Sequence, residues 1–283
     1  MIYCKNIYKI KNMSKRMVIA IASHKRPEQL QNKTLSLLKK HKFNMKDVYI
    51  FSSTESMKIY RPLAKKWGFN LIKSKNNILD TRNHMIQSFP NGTRIVEFDD
   101  DVEDILTTKK GKVSKSVKNL KKLFEESFKL VGKNGLWGFN ANTNTFFAKG
   151  VDKFGLYSII NSCLGYINDK SIKLTVSEKE DFERGILFYQ KAYPILKRTG
   201  YGIKTNYWTN KGGIQDRYGF EKRKQVQKQS ADNIMKKYPG VCFRKVRGNG
   251  IVDIRFKPRG DPLKIYKKNK AKLPKHIQVA MKL

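Results

Sequence analysis

The chain has 283 residues, with 60 Lys and Arg against 23 Asp and Glu, a formal net charge of +37 at pH 7. Its 39% hydrophobic and 11% aromatic content is too rich for an intrinsically disordered segment. The apolar run Met17–Ala22 falls far short of the ~20 residues of a membrane-spanning helix, so no membrane partner is expected. Cys4, Cys163 and Cys242 form no CxxC pair, which excludes a disulfide scaffold and a zinc ribbon and points to a reducing cytoplasm. Solubility asks for a net charge of only about 2–8 in a small domain, so the excess here calls for a polyanionic partner, nucleic acid foremost. The excess is densest at the end, with 22 Lys and Arg against 5 acids over residues 201–283.

Residues 1–16 alternate Lys with Ile and Tyr and read as a basic arm or early strand. Met17–Ala22 is a short continuous apolar run, the mark of a strand buried on both faces. Pro27 opens a helix with Leu30, Thr34, Leu37 and Leu38 at helical spacing. Asp47–Phe51 is a second strand, and Ser56–Lys66 a helix closed by Gly68. A third strand covers Phe69–Ile72, a helix Ile78–Phe89, and a fourth strand Arg94–Phe98. Repeated strand–helix units imply a doubly wound, mostly parallel, Rossmann-like α/β sheet.

Thr107–Lys112 reads as a polar loop and Ser116–Leu130 as an amphipathic helix. Beyond it the texture turns β-rich, with strands at Leu136–Asn140, within Leu156–Asn168, at Lys173–Val176 and at Ile195–Thr205, and a helix at Asp181–Tyr193. Residues 211–237 read as a charged helix, and Val241–Lys257 as a hairpin turning at Gly248 and Gly250. One continuous domain is expected, divided into the arm 1–16, a nucleotide-binding subregion 17–106, an acceptor-binding subregion 107–260 and a basic tail 261–283.

Chemistry begins at Asp99, Asp100 and Asp101. They follow a buried strand, at the edge where α/β sheets bind ligands. Three adjacent carboxylates repel one another, so a neutralising cation is expected. Residues i and i+2 of an extended segment share a face, which lets Asp99 and Asp101 hold Mg2+ or Mn2+ jointly with a phosphate. No GxxxxGK[ST] string is present, and the first strand ends in Ser23-His24-Lys25-Arg26-Pro27 rather than GxGxxG, which removes P-loop and dinucleotide enzymes. A two-metal nuclease shares the acidic and basic kit, but usually draws its carboxylates from separated segments.

The order of Ile19–Pro27, Asp80-Thr81-Arg82-Asn83-His84 and Ile95–Val102 resembles type-A-fold nucleotide-sugar glycosyltransferases. Within that fold it resembles the TET-associated enzymes that glycosylate hydroxymethylated pyrimidines in DNA. The likeness spans about residues 17–105 and implies a single-domain type-A fold with a UDP-sugar donor. It places Ala22, Ser23 and Arg26 against the base and ribose, with Glu55 within reach of the nucleotide, and Arg82 and Asn83 beside the base and diphosphate. Asp99 and Asp100 then line the donor, with Asp101 and Asp99 on the metal. Glu180 and Asp181 resemble the acceptor-side Glu-Asp motif of inverting members, in which Asp181 is the general base and Glu180 holds the acceptor. An acid pair at a helix start also satisfies the helix dipole, so the residues themselves leave both roles open.

Lys204, Tyr207, Trp208 and Arg217 interleave basic and aromatic types as an acceptor surface for DNA, extended by Lys222, Arg223 and Lys224. Asp216 is a second candidate base. Trp137 and Phe139 read as core, and His276, in a basic stretch, does not read as a ligand. The expected activity is metal-dependent transfer from a UDP-sugar to 5-hydroxymethylcytosine or 5-hydroxymethyluracil in DNA. The alternatives are transfer to protein or glycan, or a non-enzymatic DNA-binding protein.

Overall fold

A computed structural model describes residues 16–109, 112–141, 143–144, 150–205, 219–248, 250–257 and 263–283. Strands β1 (Met17–Ala22), β2 (Val48–Ser53), β3 (Asn70–Ser74) and β4 (Arg94–Asp99) are parallel, in the order β3-β2-β1-β4. Their apolar runs exist because both faces are covered. Val18 and Ala20 point into one hydrophobic cluster, Ile19 and Ile21 into another on the opposite face. The helical connections are α1, an unbroken run over Pro27–Gln29, Leu30–Leu35 (π-helical) and Ser36–Lys40, then α2 (Met57–Trp67) and α3 (Ile78–Ser88). The expected glycine closes α2, with Gly68 at φ 78°, a left-handed position that costs glycine nothing.

The same sheet continues through β5 (Asp104–Lys109), β6 (Lys112–Ser116), β7 (Leu136–Asn140), β8 (Lys153–Phe154), β9 (Cys163–Ile167) and β10 (Ile195–Lys204). Beyond β4 the order is β9-β7-β10-β5-β6, with β9 antiparallel to both β4 and β7, and β10 parallel to β7. Most strands therefore run one way, and the α/β class with a mostly parallel sheet holds. Helix α4 (Leu120–Val131) covers one face; α5 (Glu180–Gln190) lies on the other. A separate ribbon of β11 (Cys242–Val246) and β12 (Val252–Phe256) packs on α6 (Phe220–Lys237). No described helix is long and apolar enough to cross a membrane.

Three expectations give way. Within the expected polar loop Thr107–Lys112, Thr107–Lys109 belong to β5 and Lys112 to β6, because β5 pairs with β10 and β6 with β5. Lys173–Val176 forms no strand; it is held by side chains, as Thr175 and Val176 donate their backbone N–H groups to Glu183. Residues 263–283, expected as a basic tail, pack on the body: Tyr266 of α7 (Lys264–Lys268), Ile277 of α8 (Lys275–Ala280) and Leu273 between them lie in the core.

Trp137 is fully buried and lies over the backbone of Gly165 on the neighbouring strand, where a methyl group would overlap the indole. Gly165→Ala is accordingly expected to destabilise the chain by about 1–3 kcal/mol, the usual cost of overpacking a core. Urea denaturation measures it, and an unchanged midpoint would show that the indole is free to shift.

Candidate active site

In a sheet ordered β3-β2-β1-β4, the connections leave β1 in opposite directions, and the crevice at the carboxyl ends of β1 and β4 is the topological switch point where such sheets bind ligands. Register places Ala22, the last residue of β1, opposite Asp99, the last of β4. The chain leaving β1 turns at Lys25, at φ 54°, and brings Arg26 across the aspartates.

Of the triplet, expected to be extended, only Asp99 belongs to β4, and Asp100 and Asp101 lie in the turn that follows; burial nevertheless alternates along it. Asp100 points inward and is 3% exposed. One oxygen pairs with Arg26 Nη1 at 2.8 Å; the other accepts from the Ser23 hydroxyl at 2.7 Å. Ser23 in turn bonds the Tyr60 hydroxyl at 2.6 Å, which also receives the Arg26 backbone N–H at 3.0 Å. Burial pushes the Asp100 carboxyl up to about 7, with Arg26 opposing. Asp101 pairs with Arg26 Nη2 at 2.8 Å and lies 3.0 Å from the Thr205 hydroxyl. Asp99, the most open, has its side chain 36% exposed and one oxygen 2.7 Å from Arg82 Nη2. Two guanidinium groups of the chain itself offset part of these charges, Arg26 on Asp100 and Asp101 and Arg82 on Asp99. Arg26, expected against base and ribose, spends both terminal nitrogens on Asp100 and Asp101.

Arg82 leads deeper. Its Nη1 meets Glu97 Oε2 at 3.1 Å, and Glu97, on β4, is entirely buried. The other Glu97 oxygen accepts from the Tyr166 hydroxyl at 2.6 Å and Arg184 Nη1 at 2.8 Å, while Arg184 Nη2 reaches Oε2 at 3.1 Å. The Arg184 guanidinium lies 4.7 Å from the Tyr166 ring centroid. Burial alone would raise the Glu97 carboxyl, but Arg184 and Arg82 outweigh it and hold it below the usual range.

Arg82 Nε lies 3.9 Å from Glu180 Oε1, which accepts from Asn161 at 2.8 Å. Arg82 therefore joins Glu97 and Asp99 on β4 to the first residue of α5. Burial raises the carboxyls of both Glu180 and Asp181. The Asp181 charge adds to the first shift and Arg82 opposes it; Lys179 opposes the second and the Asp99 charge adds to it. The start of α5 thus sits within the electrostatic reach of the aspartate triplet.

The remaining expected residues divide. Asn83 uses its amide on the backbone of Leu174, both bonds at 2.9 Å, and so anchors a connection. Glu55 stands at the exposed rim, paired with Lys25 at 2.9 Å and accepting from Asn76 at 2.6 Å. Lys204 pairs with Glu103 at 3.3 Å. Lys222 is exposed, whereas Arg223 meets Glu178 at 3.2 Å and Lys224 meets Glu221 at 3.0 Å. Tyr207, Trp208, Asp216 and Arg217 lie outside the described residues. His276 bonds the Leu130 carbonyl at 2.7 Å. Sequence reasoning missed Glu97, Tyr166 and Arg184. A signal existed: Glu97 interrupts the apolar Ile95–Phe98 run, and Arg184 precedes the apolar Gly185–Phe188 stretch.

Among the described residues no group of three or more His, Cys, Asp and Glu could hold a metal ion. Asp99 and Asp101 are the less buried members of the triplet, although Arg26 and Thr205 already engage both Asp101 oxygens; two hard carboxylates suit Mg2+ or Mn2+, which commonly takes one or two protein carboxylates and completes its shell with phosphate and water.

No protein-family model matches the chain, and no curated protein does. The backbone is similar to the structure of Staphylococcus aureus TarS 1–349 in complex with UDP-GlcNAc, at 14% identity and a TM-score of 0.48, covering 78% of this chain and 66% of that one. It is similar to the mannosyltransferase PcManGT from Pyrobaculum calidifontis in complex with GDP-Man and Mn2+, at 9% identity and a TM-score of 0.49, covering 82% of this chain and 71% of that one. A third likeness is to glucosyl-3-phosphoglycerate synthase from Mycobacterium tuberculosis in complex with Mn2+, UDP and phosphoglyceric acid, at 10% identity and a TM-score of 0.48, covering 92% and 94%. This chain spans just under two-thirds of the TarS structure, 66% of its length. These likenesses describe the course of the backbone and carry no residue role.

Glu97→Gln keeps the shape of the side chain but leaves Arg82 and Arg184 buried without its charge. Breaking such a buried ion set from one side costs about 3–5 kcal/mol. Urea denaturation of this variant is expected to show a loss of that size; a loss below about 1 kcal/mol would mean that water or a shifted carboxylate compensates the arginines.

Proposed function

We propose that the chain is a divalent-metal-dependent glycosyltransferase that moves a sugar from a UDP-sugar to the hydroxymethyl group of a modified pyrimidine in DNA. The observation that carries the reading is the meeting of two carboxylate sets. Asp99 and Asp101 stand at the switch point between β1 and β4, and Glu180 and Asp181 open α5 beside them, bridged by Arg82. One set suits a diphosphate donor, the other an acceptor hydroxyl. The charge of +37 supports a polyanionic acceptor.

The donor lies over the carboxyl ends of β1 and β4, with Ala22 and Ser23 beneath it and Glu55 at the rim. Asp99 and Asp101 would hold Mn2+ or Mg2+, which when bound would supply positive charge to the departing diphosphate. Asp181 takes the proton of the acceptor hydroxyl. The hydroxyl oxygen forms its bond to the anomeric carbon from the face opposite the diphosphate, the carbon–oxygen bond to phosphate breaks, and its electron pair leaves with the diphosphate. The anomeric centre is inverted. A carboxyl raised by burial is the stronger base for this step, and Glu180, steadied by Asn161 and Arg82, orients the acceptor.

Incubation of the protein with Mn2+, a panel of UDP-sugars and duplex DNA carrying 5-hydroxymethylcytosine or 5-hydroxymethyluracil is expected to add one glycosyl mass to the modified nucleoside, read by mass spectrometry. No mass shift with any sugar, on protein shown to be folded, removes the DNA acceptor. Donor hydrolysis or transfer to a glycan or peptide in the same panel would redirect the reading to those acceptors. Asp181→Asn is expected to slow transfer by about 10²–10⁴, the usual contribution of a positioned base, with donor affinity changed only a few fold. Full turnover by this variant, or wild-type turnover unaffected by a chelator, would remove the base or the metal respectively.

A further inference from the structure

The ribbon of β11 and β12 is not needed to build the site, yet it is placed beside it. Its inner face carries Val252 and Ile254, which pack with Ala231 and Ile234 of α6 and with Phe182 and Ile186 of α5. Helix α5 is the element that begins with Glu180 and Asp181. The rings of Phe182 and Phe256 stand 5.7 Å apart, and the Lys179 amine feels the charges of Asp181, Asp253 and Arg247 together. The ribbon is thus fastened to the acceptor side of the crevice.

Its other face is of a different kind. Register sets Phe243 opposite Arg255 and Lys245 opposite Asp253. Alternation along the strands gives these residues one face. Asp253, the one acid over residues 242–257 against five Lys and Arg, lies 3.1 Å from Arg247 and 3.6 Å from Arg255, and both arginine side chains stay more than half exposed. Lys245 is exposed, and Phe243 and Val246 are 45% and 56% exposed. Lysines guard many edge strands against pairing with other chains, but two open apolar side chains on the same strand work against that role. A basic face with an aromatic at one end suits a polyanion that also offers apolar contacts.

We infer that the β11–β12 ribbon binds duplex DNA by entering the major groove and presents the modified base to the Asp181 side of the crevice. The inference rests on the DNA-acceptor reading above. A two-stranded ribbon fits the major groove of B-form DNA, about 12 Å wide, whereas the corresponding groove of A-form RNA is too narrow for side chains to read. The C5 position of a pyrimidine opens into the major groove, so a 5-hydroxymethyl group lies on the side the ribbon approaches. Lys245, Arg247 and Arg255 contact phosphates, and Phe243 packs against base edges.

Fluorescence-anisotropy titration of a short labelled DNA duplex, at a series of salt concentrations and with no donor or metal present, tests the surface independently of sugar transfer. Lys245→Gln with Arg255→Gln is expected to weaken binding and to flatten the log–log salt dependence by about 1.8, some 0.9 for each phosphate left without its cation. Phe243→Ala is expected to weaken binding with the slope unchanged. Lys121→Gln with Lys129→Gln, the same charge change on the exposed side of α4, is expected to leave the slope as it is. Equal slopes for wild type and the ribbon variant, equal flattening by the α4 variant, or duplex RNA bound as tightly as DNA would each overturn the assignment.

Discussion

The Glu97 carboxylate is buried without access to water, between the apolar Val96 and Phe98 of its strand, and a charge so placed is tolerated only when partners replace its hydration. Tyr166, Arg184 and Arg82 do so, from β9, α5 and α3. Three elements from different parts of the chain are therefore tied to one point on β4. Buried ion pairs add little net stability against an apolar core of equal volume, so the consequence that matters is geometric. Arg82 holds Glu97 with one nitrogen and Asp99 with another while standing close to Glu180. The same guanidinium relates the Asp99 carboxylate on β4 to Glu180 at the start of α5, and neither can move without disturbing the buried set.

Charge within the crevice is not balanced. Glu97, Asp99, Asp100, Asp101, Glu180 and Asp181 share the guanidinium groups of Arg26, Arg82 and Arg184, with Lys179 beside Asp181. The raised carboxyls of Asp100, Glu180 and Asp181 express the surplus of negative charge under burial. Inside a chain of net charge +37, this local acidity has two physical consequences. The outer field attracts anions, and the surplus within the crevice attracts cations. The divalent ion and diphosphate of the proposed reaction would satisfy both.

The ribbon and α6 extend the same division of labour. One hydrophobic cluster joins them to α5, so a surface suited to phosphates is mounted on the helix that carries the carboxylate pair. In the proposed reaction the acceptor side is assembled from segments that follow β9 in the chain, and the donor side from the segments before β5.

Local physics made much of this legible in the residues alone. Continuous apolar runs identified β1, β2 and β4, since only strands covered on both faces require them; a glycine after α2 marked its left-handed end; and period-2 alternation set Asp99 and Asp101 apart from Asp100. The β11–β12 hairpin was equally visible from its turn glycines. Other features depended on contacts between residues far apart in sequence. Nothing near Arg26 in the chain announces that it will neutralise Asp100 and Asp101, some 75 positions away. The polar segment around Thr107 became a strand because β10 offered it an edge, and Lys173–Val176 did not, because Asn83 and Glu183 took its backbone groups instead. Glu97 and Arg184 stood out only as charges in apolar surroundings. Periodicity and composition act through neighbours in the chain and so decided the elements and the place of the aspartates; the pairing of buried charges acts through space, and only the folded structure could decide which arginine meets which carboxylate.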